Sequence, residues 1–171
     1  MKQLIVGLVG GTFVVLALGA PAALRHSHLR FNSTDSVPVG LYEAEAERAP
    51  YAGFCLSADT LRSALRAGLE LGRGECADGY QPILKTVYPA TPETPITLDA
   101  AGFLVGGVRI PNTKPKAMSR KGQPLEHFAF GTYTSGLWAI SGYNADSYDS
   151  RYFGPVAQEC IRFYAKPLFV V

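Results

Sequence analysis

Pro82-Ile83-Leu84-Lys85-Thr86-Val87-Tyr88 is a short apolar run that holds a single charge, Lys85. Its length, its β-branched and aromatic content and its flanking prolines predict a core strand rather than a helix. Downstream, short apolar segments broken by Pro and Gly recur at 96–98, 103–105, 108–110, 137–141, 161–164 and 168–171. Upstream, residues 41–47 alternate apolar and acidic side chains, the period of a half-exposed strand, so Glu43, Glu45 and Glu47 form a solvated face. Residues 51–56 read as one more strand. One helix is predicted over 58–71, with Ser57 as its cap, Leu61, Leu65 and Leu69 as its buried stripe and Gly72 as its terminator. Many short strands with one helix give a mainly β domain, a barrel or folded sheet. No internal repeat or linker divides it.

The chain has 171 residues, enough for one domain with its own core. Apolar residues make up 47% and charged residues 18%, which excludes a disordered chain. The net charge is +2 and no Lys/Arg run exceeds two residues, so no nucleic-acid partner is expected. Residues 4–24 carry no charge and are long enough to span a bilayer as a helix. Ala20-Pro21-Ala22 offers a small-x-small signal cleavage site, but the length of the run favours a retained anchor. The expected organisation is therefore a membrane anchor or signal segment at 1–25 and a catalytic domain at 26–171.

Three cysteines, Cys55, Cys76 and Cys160, make an odd number. Cys55 and Cys76 bracket the predicted helix and suit a disulfide staple; three reduced core cysteines are the alternative. There is no Cys-x-x-Cys or His-x-x-x-His spacing, so neither a metal nor another cofactor is expected.

Three histidines, two of them (His26 and His28) beside the apolar run, leave few partners for a classical triad. A serine nucleophile without a histidine needs another base. Lysine serves only when neutral, and burial lowers its ordinary pKa of about 10.4. Lys85, flanked by Ile83, Leu84 and Val87, has that setting; a snorkelling strand-edge lysine is the alternative reading. Lys114, Lys116 and Lys121 lie in a polar, Pro-rich stretch and should stay solvated. Phe31-Asn32-Ser33-Thr34-Asp35-Ser36-Val37-Pro38-Val39-Gly40-Leu41-Tyr42 is rich in hydroxyls and reads as an exposed turn into a strand. There the turn amides and the Thr34 hydroxyl can face an oxyanion formed at Ser36, although the same composition also fits a plain loop. In the polar segment 142–155, Ser147 can orient the Lys85 amine, and Asp149 and Arg151 can brace a loop; an ordinary polar turn is the alternative.

Taken in order, these segments resemble the signal peptidase I superfamily, and within it the conjugal-transfer branch of TraF-type pilin peptidases. Asn32-x-Thr34-x-Ser36-x-Pro38-x-Gly40-Leu41-Tyr42 resembles that branch's nucleophile box, Leu84-Lys85-Thr86-Val87 its general-base box, and Asp149-Ser150-Arg151-Tyr152-Phe153-Gly154-Pro155-Val156 its last box. The stretch from Cys55 to Cys76 resembles the branch's helical insert with paired cysteines. Val37 and Tyr143 depart from housekeeping signal peptidases in the direction of this branch. Pro89-Ala90-Thr91 stands where the Pro-Gly-Asp after the base box is common.

The resemblance implies Ser36 as nucleophile and Lys85 as general base. It gives Thr34 and the Ser36 amide as oxyanion donors, Ser147 as orienter of Lys85 and Asp149–Arg151 as a brace. It implies a signal-peptidase-like β-rich catalytic domain with one short helical insert on an N-terminal transmembrane helix. The protein would sit in a bacterial inner membrane with its catalytic domain in the periplasm, or in the periplasm after signal cleavage. The expected partners are the lipid bilayer and an exported, pilin-like precursor bound as an extended strand and hydrolysed or cyclised. Two rival readings are a noncatalytic envelope scaffold or binding module, and an enzyme built on His127 with an acidic partner.

Overall fold

The computed structural model describes residues 28–45 and 48–171. Two antiparallel sheets dominate it. The larger contains β1 (Leu29–Asn32), β2 (Gly40–Glu45), β3 (Tyr51–Phe54), β4 (Ile83–Pro89), β9 (Leu137–Ala139) and β10 (Ile161–Val170), in the order β1-β2-β10-β3-β4-β9. The smaller contains β5 (Ile96–Asp99), β6 (Gly102–Val105), β7 (Val108–Arg109) and β8 (Gly131–Tyr133), in the order β7-β6-β5-β8. The described domain is thus mainly β, as the punctuation of the sequence implied. The expected anchor or signal segment at 1–25 lies outside the described residues, as does the boundary after it. No helix among the described residues is long and apolar enough to cross a membrane.

Strand β9 joins the sheets because its side chains alternate. Ala139 packs into a core cluster with Ala52, Phe54, Val87 and Tyr164. Its neighbours Trp138 and Ile140 pack into a second cluster with Ile96, Leu98 and Phe103. A third cluster of Val37, Tyr42, Tyr51 and Ala165 lies beneath the loop that carries Ser36. Val37 is fully buried there, and its burial stabilises that loop by about 1.5–3 kcal/mol.

The helix is shorter than its apolar stripe suggested. α1 (Ala58–Arg66) begins where expected, with Ser57 Oγ accepting the Thr60 N–H. It ends at Gly68 rather than Gly72. Gly68 has φ +88°, its N–H donates to Leu65 O and the Leu69 N–H to Ala64 O, which is the Schellman pattern. Leu61 and Ala64 are its buried face, while Leu65 is exposed. Cys55 and Cys76 form a disulfide that closes the segment carrying α1, and Cys160 keeps a free thiol.

The two C-terminal strands expected at 161–164 and 168–171 are one, β10. Pro167 does not interrupt it, because a register shift between Pro167 and Phe169 absorbs the missing donor. β1 and β8 were not expected. β1 is a four-residue edge strand with little periodicity of its own, ordered by pairing with β2 through Phe31↔Leu41 and Asn32↔Gly40. A one-turn helix, α2 (Ser150–Phe153), was not expected either.

Candidate active site

Lys85 lies in the middle of β4, where Lys85 and Val87 alternate inward. Only 5% of Lys85 is exposed, so its side chain is buried and does not snorkel to solvent. Its Nζ donates to Ser147 Oγ at 2.9 Å. Ser147 Oγ in turn donates to Ser36 Oγ at 3.4 Å. The fold therefore gathers Ser36, Ser147 and Lys85 from three distant segments. Burial is the main influence on Lys85 and brings its pKa down from 10.5 to about 8. The charge of Asp149 opposes that shift, that of Arg151 adds to it, and that of Asp35 opposes it.

The Ser36 turn is fixed by Asn32, itself buried at the end of β1. The Asn32 amide donates to the carbonyls of Thr34 (2.7 Å), Pro38 (3.0 Å) and Val37 (3.1 Å). Its Oδ1 accepts the Thr34 N–H at 3.2 Å and the Thr34 hydroxyl at 2.8 Å. The hydroxyl that the resemblance assigns to an oxyanion is therefore engaged with Asn32 and must rotate to serve one. The Asn32 side-chain amide is spent on the turn.

Asp149 and Arg151, whose spacing allowed a loop brace, are both fully buried. Asp149 caps α2 and accepts four N–H donors. The Arg151 backbone (3.0 Å) and Nε (2.8 Å) reach Oδ1, while Arg151 Nη2 (3.0 Å) and the Ser141 backbone (3.0 Å) reach Oδ2. Arg151 also donates to the carbonyls of Ser147 (2.9 Å), Asn112 (2.9 Å) and Ala145 (3.2 Å). Pairing and full hydrogen bonding are what make two buried charges tolerable. The Ser147 main chain is thereby held from behind.

Ser141, fully buried and not singled out by the sequence, donates its hydroxyl to the Ser36 carbonyl at 2.5 Å. Nothing in the sequence could have found it, since its partner lies 105 positions away. Asn32 had a signal, because Asn opening a hydroxyl-rich turn commonly hydrogen-bonds the following main chain.

Ser36 opens onto two adjoining grooves of about 490 Å³ and 210 Å³. Both are also lined by Thr34, Leu69 and Glu70, so the end of the disulfide-closed insert overhangs the serine. Lys116 and Lys121 line the larger groove as exposed cations paired with Asp146 and Glu70. Lys114 is exposed. His127 is exposed too, stacked on Phe130 with Nδ1 against the Phe128 carbonyl. Among the described residues, no three His, Cys, Asp or Glu side chains cluster as a metal site would require.

The chain is similar along almost its whole length to proteins named for plasmid transfer. It is 31% identical over 176 residues to a plasmid transfer protein TraF of Escherichia coli, covering 98% of this chain and 96% of the relative. A second Escherichia coli plasmid transfer protein TraF is 29% identical over 95% of this chain and 93% of its own. A conjugal transfer protein TraF of Agrobacterium fabrum is 28% identical over 98% and 97%. No protein-family model matches the chain, and no solved structure matches it.

Proposed function

The chain belongs to the TraF family of plasmid and conjugal transfer proteins, and on that premise we propose that it is a serine endopeptidase akin to signal peptidase I, acting in conjugative transfer. One observation carries the reading. A buried lysine amine touches a serine hydroxyl that touches a second serine at the mouth of two grooves.

In this reading the direction of the hydrogen-bond chain follows the charge on Lys85. As an ammonium, Lys85 donates to Ser147 and Ser147 donates to Ser36, leaving Ser36 without a base. As a neutral amine, Lys85 accepts from Ser147, Ser147 accepts from Ser36, and the Ser36 hydroxyl is primed to attack. The 3.4 Å step between the serines would tighten when substrate closes the groove. Attack gives an acyl-enzyme and releases the first product. Turn amides and a rotated Thr34 hydroxyl would stabilise the oxyanion. Water then yields a cleaved chain, or an amine of the substrate a cyclised one.

The substrate would bind extended. The Val87 N–H donates to Pro50 O, and Thr86 O accepts from the Ile140 N–H on the opposite side. By alternation the Leu84 main chain also faces away from β3, where β9 has already ended, since β9 pairs only with 87–89. A strand of precursor can be added at that open edge, with small side chains entering the grooves. An exported precursor such as a pilin subunit, presented at a periplasmic membrane face, fits this requirement.

Ser36→Ala and Lys85→Ala, assayed separately on a precursor peptide with small residues before the cut, test the reading. Both are expected to be inactive. Cleavage retained by either variant removes the dyad, and partner binding that survives both without any wild-type cleavage favours a noncatalytic module.

A further inference from the structure

We infer that Ser141 is a positioning residue for the nucleophile, the link through which the buried Asp149–Arg151 pair sets the place of Ser36. The inference rests on the peptidase reading above. Three observations carry it. Ser141 is fully buried, and both its backbone N–H and its hydroxyl are committed. Its N–H is held by Asp149 Oδ2 at 3.0 Å, which locates it against the ion pair. Its hydroxyl donates at 2.5 Å to the main-chain carbonyl of Ser36, the residue whose Oγ must stay within reach of Ser147.

The consequence is geometric. Arg151 Nη2 fixes the Ser147 carbonyl at 2.9 Å, and Asp149, through Ser141, fixes the Ser36 carbonyl. Both hydroxyls of the relay are thus referred to one rigid, buried pair. Asn32 holds the same turn through Thr34, Val37 and Pro38 on either side of Ser36 but does not hold the Ser36 carbonyl. With Ser141 in place that carbonyl points into the protein, away from an anionic oxygen forming beside Ser36, which it would otherwise repel. Without it, the peptide after Ser36 is free to turn and the already long contact with Ser147 opens. Misplacement on the ångström scale at a reacting atom costs up to about a hundredfold in rate. The Ser141 hydroxyl is committed to the Ser36 carbonyl and not to the Lys85 amine, so the ionisation of Lys85 should be indifferent to it.

The test compares wild type, Ser141→Ala and Ser141→Thr by the rate at which a small fluorophosphonate probe labels Ser36 across pH, together with thermal melting. Labelling by so small a probe reports the nucleophile without the peptide groove. Ser141→Ala is expected to label roughly ten- to a hundredfold more slowly at the high-pH plateau. Its pH midpoint and cooperative melt should match wild type, and Ser141→Thr, which keeps the hydroxyl, should recover most of the rate. Wild-type labelling by Ser141→Ala, a Ser141→Thr protein as slow as the alanine variant, or loss of the cooperative melt in Ser141→Ala would overturn the assignment. A wild-type protein that is neither labelled at Ser36 at any pH nor able to cleave the precursor peptide removes the peptidase reading and this inference with it. Where the peptide is cleaved but the probe does not react, kcat on the peptide replaces the labelling rate, and an unchanged kcat in Ser141→Ala overturns the assignment.

Discussion

Lys85 Nζ and Ser147 Oγ, 62 positions apart in the chain, meet at 2.9 Å in a place where neither side chain is more than 5% exposed. Lys85 reaches Ser36 through this contact, so Ser147 is the joint of the relay. Ser147→Ala should lower kcat/KM by roughly a hundredfold or more, the usual scale for losing a positioned proton carrier. It should also move the pH midpoint downward, because the ammonium form loses a hydrogen-bond acceptor that stabilises it. A pH series of kcat/KM measures both effects, and a variant with wild-type rate and midpoint would show that Ser147 only packs.

The pKa of Lys85, lowered by burial to about 8, fixes the shape of the activity profile. Activity should rise with pH as the amine loses its proton, with a midpoint near 8. A rate that falls above neutral pH would argue against a lysine base. Lys85→Arg should be inactive at every pH, because a guanidinium is effectively never neutral.

The same burial carries a stability cost whose sign can be checked. Below about pH 8 the folded and unfolded chains both hold the Lys85 proton, and the full cost of a buried ammonium is present. Between about 8 and 10.5 the folded state releases the proton first, so stability rises with pH across that window. The shift corresponds to at most about 3 kcal/mol. Lys85→Met should therefore be inactive yet melt several degrees higher at pH 7, with the gain shrinking as pH passes from 8 toward 10.5. Melting curves of the two proteins across that range decide it; a methionine variant less stable at pH 7 would contradict it.

The Cys55–Cys76 bridge spans 21 positions and closes the insert whose end, Leu69 and Glu70, lines both grooves at Ser36. Replacing both cysteines with alanine should cost about 3 kcal/mol on the loop-entropy view. It should also raise KM more than it lowers kcat, since the insert shapes the groove without touching the relay. Urea unfolding and steady-state kinetics on the same variant test both halves, and an unchanged KM would detach the insert from substrate binding.

Much of the mainly β fold is legible in the sequence, and Ser36, Ser147 and Lys85 are legible as candidates, but the order Lys85–Ser147–Ser36 in which they touch is not. Lys85 stands out in the sequence as a lone charge inside an apolar strand, but a turn holding Ser33, Thr34 and Ser36 singles out no one hydroxyl, and it is the resemblance of the whole box that assigns Ser36. Other features were hidden for physical reasons. The burial of Asp149 and Arg151 depends on carbonyls brought from residues 112 and 145, which no local pattern encodes. Ser141 looks like any strand-end serine until the fold brings it under Ser36. The leucine stripe continues past Gly68 and so predicts a helix to 71, but the left-handed conformation of Gly68 ends the helix regardless of periodicity. Pro167 predicts a break between two strands, but the register shift beside it lets β10 pass through.

The most direct test of the account is an acid quench of wild-type protein turning over a precursor peptide, followed by mass mapping. The account predicts a covalent acyl adduct on Ser36, absent in Ser36→Ala and failing to accumulate in Lys85→Ala. Precursor cleaved at the same site by the Ser36→Ala protein, with no adduct on Ser36 of the wild type, would contradict it.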